Sequence, residues 1–191
     1  MTCALHVVPY GLYDLTHNQG WVCIGTSADT SEFAVDAILQ WWLDPERPIF
    51  PDESILLILF DAGGSNNYRY RLWKQQLQEK LADALGIPVM VCHYPTGASK
   101  WNPIEHRLFS FISINWAGKP LRTLDTMLGL INETTTSTGL TVKASLIDRV
   151  YQKGIKVSQE VWDALFLKRR SICPQWNYMI FPRTAVALDQ L

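Results

Sequence analysis

Asp61 ends the apolar run Leu56-Leu57-Ile58-Leu59-Phe60 and is followed by Ala62-Gly63-Gly64-Ser65-Asn66. A carboxylate at the end of a buried strand is costly unless it meets solvent, a cation or hydrogen-bond donors. In open α/β sheets ligands gather beyond the carboxyl ends of the strands, and glycines there let backbone approach a ligand. The plain alternative is that Asp61 starts a turn or caps the next helix. Glu105 is the second acid, in Ser99-Lys100-Trp101-Asn102-Pro103-Ile104-Glu105-His106-Arg107. With Asn102 as N-cap and Pro103 as first helical residue, Glu105 takes the third position, where Glu often only satisfies the N-cap amide. The functional alternative places it at the same sheet edge as Asp61. Two carboxylates there could hold Mg²⁺ or Mn²⁺. Two such ions about 3.5–4 Å apart activate a water or a 3′ hydroxyl and stabilise the leaving oxygen of a phosphodiester.

Cations and an aromatic ring flank both acids. Arg69, Arg71 and Lys74 share one helix, Lys100-Trp101 precedes the next, and His106-Arg107 follows Glu105. Lys and Arg beside such a site suit a phosphate backbone, Trp101 suits stacking on a base or sugar, and Asn66 suits a phosphate contact. The ordinary readings are a solvated helix face for the cations and a closed turn for Asn66. Other chemistries fall away. Gly63-Gly64-Ser65 lacks the Lys-Ser/Thr pair of a P-loop, and no Gly-x-Ser-x-Gly elbow occurs. The four cysteines, Cys3, Cys23, Cys92 and Cys173, lack the close pairing a zinc site needs. Cys92 and His93 point to opposite faces of a strand. The cysteines read as reduced and mostly core.

The elements that must position these residues follow from the pattern. His6 to Leu15 and Trp21 to Gly25 read as strands joined by the turn Asn18-Gln19-Gly20, a hairpin. Asp29 or Thr30 caps a helix to Trp42 with Phe33, Ala34, Ala37, Ile38 and Trp41 on one face. Pro45, Pro48 and Pro51 break the chain. Ile55 to Phe60 has no alternation and reads as a strand buried on both faces. A helix is expected from about Asn67 to Leu85, stopped by Gly86. Val89 to His93 is the next strand, and Asn102-Pro103 opens the next helix. Thr134 to Thr138 reads as a helix exit. After Gly139 the pattern weakens. Lys156 to Glu160 looks like a strand end entering a helix to about Leu167, and Trp176 to Phe181 like a short last strand. This order predicts an α/β fold with a mixed sheet.

Composition agrees with a folded domain. The 191 residues are 48% hydrophobic and 18% charged, with net charge −1. That can bury a core and excludes a mainly disordered chain. The charge does not mark a dedicated nucleic-acid binder in bulk, though a local basic lip serves equally well. No apolar run approaches the roughly 20 residues of a membrane span, and no secretory signal is visible, so a cytoplasmic location without membrane association is expected.

Together these residues resemble the DDE transposases of bacterial insertion sequences, in particular the Rhodopirellula-type group. The resemblance rests on Pro9-Tyr10-Gly11-Leu12-Tyr13-Asp14, Asp29-Thr30-Ser31-Glu32-Phe33-Ala34-Val35, Trp41-Trp42, Asp61-Ala62-Gly63-Gly64-Ser65-Asn66, Cys92-His93-Tyr94-Pro95 and Lys100 to Phe109. Asn115-Trp116, Thr138-Gly139-Leu140 and Trp176-Asn177-Tyr178 extend it in order along nearly the whole chain. It implies an RNase H-like mixed sheet with helices on both faces. It also implies three acids holding two Mg²⁺ or Mn²⁺ ions, with DNA strand cleavage and strand transfer. Asp61 then matches the second acid and Glu105 the third, and the partner is DNA, both transposon ends and target; Asn66, Arg69, Lys74, Lys100, Trp101 and Arg107 are the DNA contacts expected from their own chemistry.

The first acid belongs to a first, central strand that the resemblance places upstream of Pro9. The expectation is therefore a truncated catalytic core over residues 1–139, with residues 140–191 as a C-terminal extension packed on it. Such a chain is expected to lack activity by itself, to leave two strand edges open, and to tend towards self-association. Two alternatives stand beside it. One is a non-catalytic DNA-binding or assembly remnant. The other is a metal-dependent nuclease in which another acid, such as Asp14, completes the site.

Overall fold

The computed structural model describes residues 6–49 and 55–183. Cys3 and the break at Pro51 lie outside them. The chain forms two compact units, each assembled from two separated segments. The first comprises Met1–Ala28 and Lys100–Tyr151, the second Asp29–Ser99 and Gln152–Leu191.

In the first unit β1 (Val8–Asp14) and β2 (Gln19–Gly25) form the expected antiparallel hairpin, with Asn18 in the left-handed region at φ 53° in its turn. Gly20 and Gly11 on these strands are required by contact. A Cβ on Gly11 would run into the Phe109 ring, and one on Gly20 into the Leu108 side chain. The helical segment carrying Glu105 therefore lies directly on the two strands. It winds through a wide turn over Glu105–Phe109, in which the Ser110 N–H donates to the Glu105 carbonyl five residues back. It continues as α3 (Ser110–Trp116), and α4 (Leu124–Asn132) follows, N-capped by Thr123.

A strand that the expected order lacks, β5 (Thr141–Ile147), runs parallel to β2 and completes the order β1-β2-β5. Its signal is present in the sequence: Val142, Ala144 and Leu146 alternate with Thr141, Lys143 and Ser145 after the Gly139 turn, the period of a strand. Val22, Ile24, Leu108, Ile112, Met127, Ile131, Leu140 and Val142 form the core of this unit.

In the second unit α1 (Ser31–Trp42) is capped by the Thr30 hydroxyl, which accepts from the Phe33 N–H at 3.2 Å, as the sequence predicts. The sheet order is β3-β4-β7-β6. β3 (Leu56–Phe60) and β4 (Val89–His93) are parallel, and β7 (Asn177–Ile180) is antiparallel to both β4 and β6 (Leu167–Arg169). The expected strand at Trp176 to Phe181 is thus an internal one.

Three expectations are corrected here. β3 is buried on one face only: Leu56, Ile58 and Phe60 are covered, while Leu57 and Leu59 are 55% and 38% exposed. Alternate residues point to opposite faces, and the Trp73 ring packs edge-on to Phe60 on the covered face. The long helix begins as α2 at Arg71 (Arg71–Gln76), not Asn67, and continues in a wide-turn stretch over Leu77–Asp83. Asn67 instead closes a turn, donating to the Ala62 carbonyl and accepting from the Arg69 N–H, both at 2.9 Å. The helix expected to reach Leu167 ends early as α5 (Gln159–Asp163), because Phe166 is drawn to the buried Gln78, whose side-chain oxygen accepts its N–H at 2.8 Å. No strand forms over Lys156 to Ser158.

The three described cysteines are free, and of them only Cys23 is buried. Cys173 is exposed, which corrects its reading as core. The architecture is mixed α/β with two mixed sheets, as expected. Among the described residues no helix is long and apolar enough to cross a membrane.

Candidate active site

Asp61 belongs to the second unit and Glu105 to the first. Asp61 follows directly on β3, where the backbone is held from both sides. The Tyr94 N–H donates to the Phe60 carbonyl at 2.6 Å, and His93, paired with Phe60 across the sheet, reaches the Asp61 carbonyl through Nδ1 at 3.2 Å. A carbonyl only accepts, so Nδ1 carries the proton and Nε2 is left as an acceptor. Nε2 meets the Tyr178 hydroxyl at 3.3 Å, and that hydroxyl accepts from the Trp73 indole N–H at 2.9 Å. Donors and acceptors alternate without conflict along Trp73, Tyr178, His93 and Asp61.

The chain of bonds is dry: Trp73 and Tyr178 are fully buried and His93 is 5% exposed. Burial lowers the pKa of His93, opposed by its bond to the Asp61 carbonyl, and lowered further by the nearby Lys74 charge. Burial raises the Tyr178 pKa well above the ordinary phenol value. Both groups are therefore neutral at pH 7. Beyond Asp61, the Ser31 hydroxyl donates to the Ser65 carbonyl at 2.6 Å, and Gly64 turns at φ 65°. The Asp61 carboxylate itself makes no hydrogen bond or ion pair among the described residues. It does not cap α2, so the turn-and-cap alternative finds no contact to support it.

Glu105 stands on the first turn after Asn102 and Pro103. Asn102 is buried and its side-chain oxygen accepts from the Ile104 N–H at 3.4 Å, while the Glu105 N–H donates to the Asn102 carbonyl at 3.2 Å. The Glu105 carboxylate is exposed and, among the described residues, takes no hydrogen bond from the Asn102 amide or any other group. The reciprocal capping contact is thus absent there, and the side chain is left to solvent. Its backbone is fixed by Phe109 over Gly11, by Leu108 over Gly20, and by His106, whose Nε2 meets the Lys100 carbonyl at 2.9 Å.

The remaining predicted residues divide by unit and exposure. In the first unit Lys100, Trp101 and Arg107 are all exposed; Trp101 is 69% exposed, with the Lys100 ammonium 5.1 Å from its ring centre. In the second unit Arg69 is exposed, its guanidinium on Tyr68. Asn66 and Lys74 are buried, at 8% and 3% exposure, so neither lies on a solvated lip. Asp14 is occupied by its own turn: its carboxylate accepts from the Thr16 N–H at 2.8 Å and the His17 N–H at 3.2 Å, and pairs with the His17 ring at 2.8 Å. His93 and Tyr178 are the supporting residues that sequence reasoning missed.

The donor chemistry suits a hard cation. Mg²⁺ binds through one or two carboxylates and keeps several waters, and both acids are oxygen donors not already neutralised by a protein cation. Among the described residues no group of three or more His, Cys, Asp or Glu is gathered where a metal could sit.

A family model described as the Rhodopirellula transposase DDE domain matches residues 2–182. No curated protein and no solved structure matches the chain.

Proposed function

Because the chain belongs to the Rhodopirellula transposase DDE domain family, we propose that Asp61 and Glu105 are two of the carboxylates that hold its divalent cations, Mg²⁺ or Mn²⁺. Membership makes the fold RNase H-like and the function of transposase type, with DNA as partner. The observation that carries the finer reading is the Asp61 carboxylate. It makes no hydrogen bond or ion pair among the described residues, and it ends a strand covered on one face, on a backbone held by the His93–Tyr178–Trp73 chain. A ligand held this firmly loses little freedom on binding a cation.

When bound, such ions polarise the scissile phosphodiester and activate the attacking water or 3′ hydroxyl. Asp61 contributes a fixed negative site at the strand end. Glu105 contributes a second from the first turn of its helical segment. Lys100, Arg107 and Arg69 attract the phosphate backbone, and Trp101 offers a face for a base. With Asp14 committed to its turn, this reading leaves two carboxylates, which neutralise and orient two dications less well than three. The chain alone is therefore expected not to cut DNA with Mg²⁺ or Mn²⁺.

Manganese binding, followed by electron paramagnetic resonance or calorimetry, tests the assignment. Asp61→Asn and Glu105→Gln should each weaken Mn²⁺ binding at least tenfold, and Asp14→Asn should leave it unchanged. Unaltered Mn²⁺ affinity in the Asp61→Asn, Glu105→Gln double variant refutes the assignment.

A further inference from the structure

Three cations of the second unit meet where no acid answers them. On α2, the Arg71 guanidinium lies 4.9 Å from the Trp162 ring centre, and the Lys74 ammonium lies 5.8 Å from that ring and 5.2 Å from the Tyr178 ring. On β6, Arg169 stands directly opposite Tyr178 in the β6–β7 register, so both side chains leave the same face of the sheet. Among the described residues none of the three pairs with a carboxylate. Arg71 donates to the Gln159 side-chain oxygen at 2.9 Å, Arg169 to the Pro174 carbonyl at 2.9 Å, and Lys74 to the Tyr68 carbonyl. Lys168 and Arg170, exposed on either side of Arg169, leave the opposite face of the strand, where Lys168 lies by the Phe166 and Phe181 rings and Arg170 by the Met179 sulfur.

A buried cation beside another cation, with no counter-charge, costs stability. Lys74 registers that cost: burial and then Arg169 lower its pKa from 10.5 to about 8. Such an arrangement makes physical sense when the missing negative charge arrives with a ligand. Arg71 and Arg169 are exposed and carry the planar fork that fits a phosphate. Lys74 lies beneath them and acts through its field in a low-dielectric setting. Arg71 and Arg169 come from two elements, α2 and β6, and two guanidinium forks can take separate phosphates, which favours a polyanion over a single small anion.

We propose that Arg71 and Arg169, backed by the buried Lys74, form a contact for the phosphate backbone of DNA on the α2–β6 face. The proposal rests on the reading of the chain as a DNA-handling transposase. It adds β6, from the tail of the chain, to the surface that grips the substrate.

Fluorescence anisotropy of the full chain with a labelled DNA duplex, in EDTA and across a salt series, tests it. Removing one phosphate-binding cation lowers the slope of log affinity against log salt by about 0.9. Arg71→Gln and Arg169→Gln should each reduce the slope by about that amount and weaken binding several-fold at low salt. Arg169→Lys should keep the slope, and Lys119→Gln, an exposed cation of the first unit, should leave both slope and affinity alone. Wild-type slope and affinity in the Arg71→Gln, Arg169→Gln double variant would overturn the contact while leaving the transposase reading intact. A wild-type chain that binds no duplex would overturn both.

Discussion

Lys74→Met should make the protein more stable at neutral pH. The lysine is 3% exposed and its pKa falls from 10.5 to about 8, through burial first and the Arg169 charge second. One pH unit is worth about 1.4 kcal/mol, so holding the ammonium charged in this place costs about 3 kcal/mol. Methionine has nearly the same length and carries no charge. It forfeits the bond to the Tyr68 carbonyl, which offsets about 1 kcal/mol. The net gain is then about 1–2 kcal/mol at pH 7.

The pH dependence gives a second handle. Between pH 8 and 10.5 the unfolded chain binds more protons at this lysine than the folded one, so native stability rises with pH through that window. From pH 7 to 9 the gain is about 1 kcal/mol for the wild type and zero from this site in the variant. Cys23, whose pKa burial raises to about 11, pulls the other way above pH 9, equally in both proteins, and cancels in the comparison. The charged or titratable groups around Lys74 are Arg71 on its own helix, Arg169 on β6, Tyr178 on β7 and His93 on β4. Burial lowers the His93 pKa below its ordinary value, so it stays neutral across this range. Urea unfolding at pH 7 and pH 9 measures the four free energies. A variant less stable than wild type at pH 7, with the same change to pH 9, refutes the reasoning.

Gly20→Ala should cost about 1–3 kcal/mol, because the new methyl drives Leu108 and the Glu105 segment off the sheet. The same variant should weaken Mn²⁺ binding, and unchanged urea midpoints and metal affinity would speak against the close seat. Tyr178→Phe keeps the ring but leaves the buried Trp73 N–H and His93 Nε2 unpaired, at a cost of about 2–3 kcal/mol. Hydrogen exchange should quicken in residues 61–66 and stay unchanged in β1 and β2; equal change in both places would mean that the network does not anchor Asp61 specifically.

The legible parts of this fold are those decided by neighbours in sequence. The Asn18 turn fixes the hairpin, the Thr30 hydroxyl fixes the start of α1, and the apolar run before Asp61 marks a strand. Which face of that strand is covered depends on Trp73, and sequence periodicity carries no such information. β6 reads as a charged run because it is an edge strand whose Lys168 and Arg169 remain in solvent, as does Arg170 after it. Lys74 occupies an ordinary helical position, and its burial depends on Trp162 and Tyr178, far along the chain. Asp61 and Glu105 were open to proposal because a strand end and a helix start are local features. Their supports were not, since His93 and Tyr178 meet Asp61 only after the sheet has been assembled across long loops.

The placement of β7 has a consequence for biosynthesis. On the ribosome, β3 and β4 emerge well before β7, the strand that lies between β4 and β6. Until then the nascent polypeptide carries a parallel pair whose β4 border is unsatisfied and whose Asp61 turn lacks its tyrosine. A premature stop before Asn177 would release the family's acidic motif without the strand that steadies it, a product suited to degradation or clumping rather than to work on a chromosome.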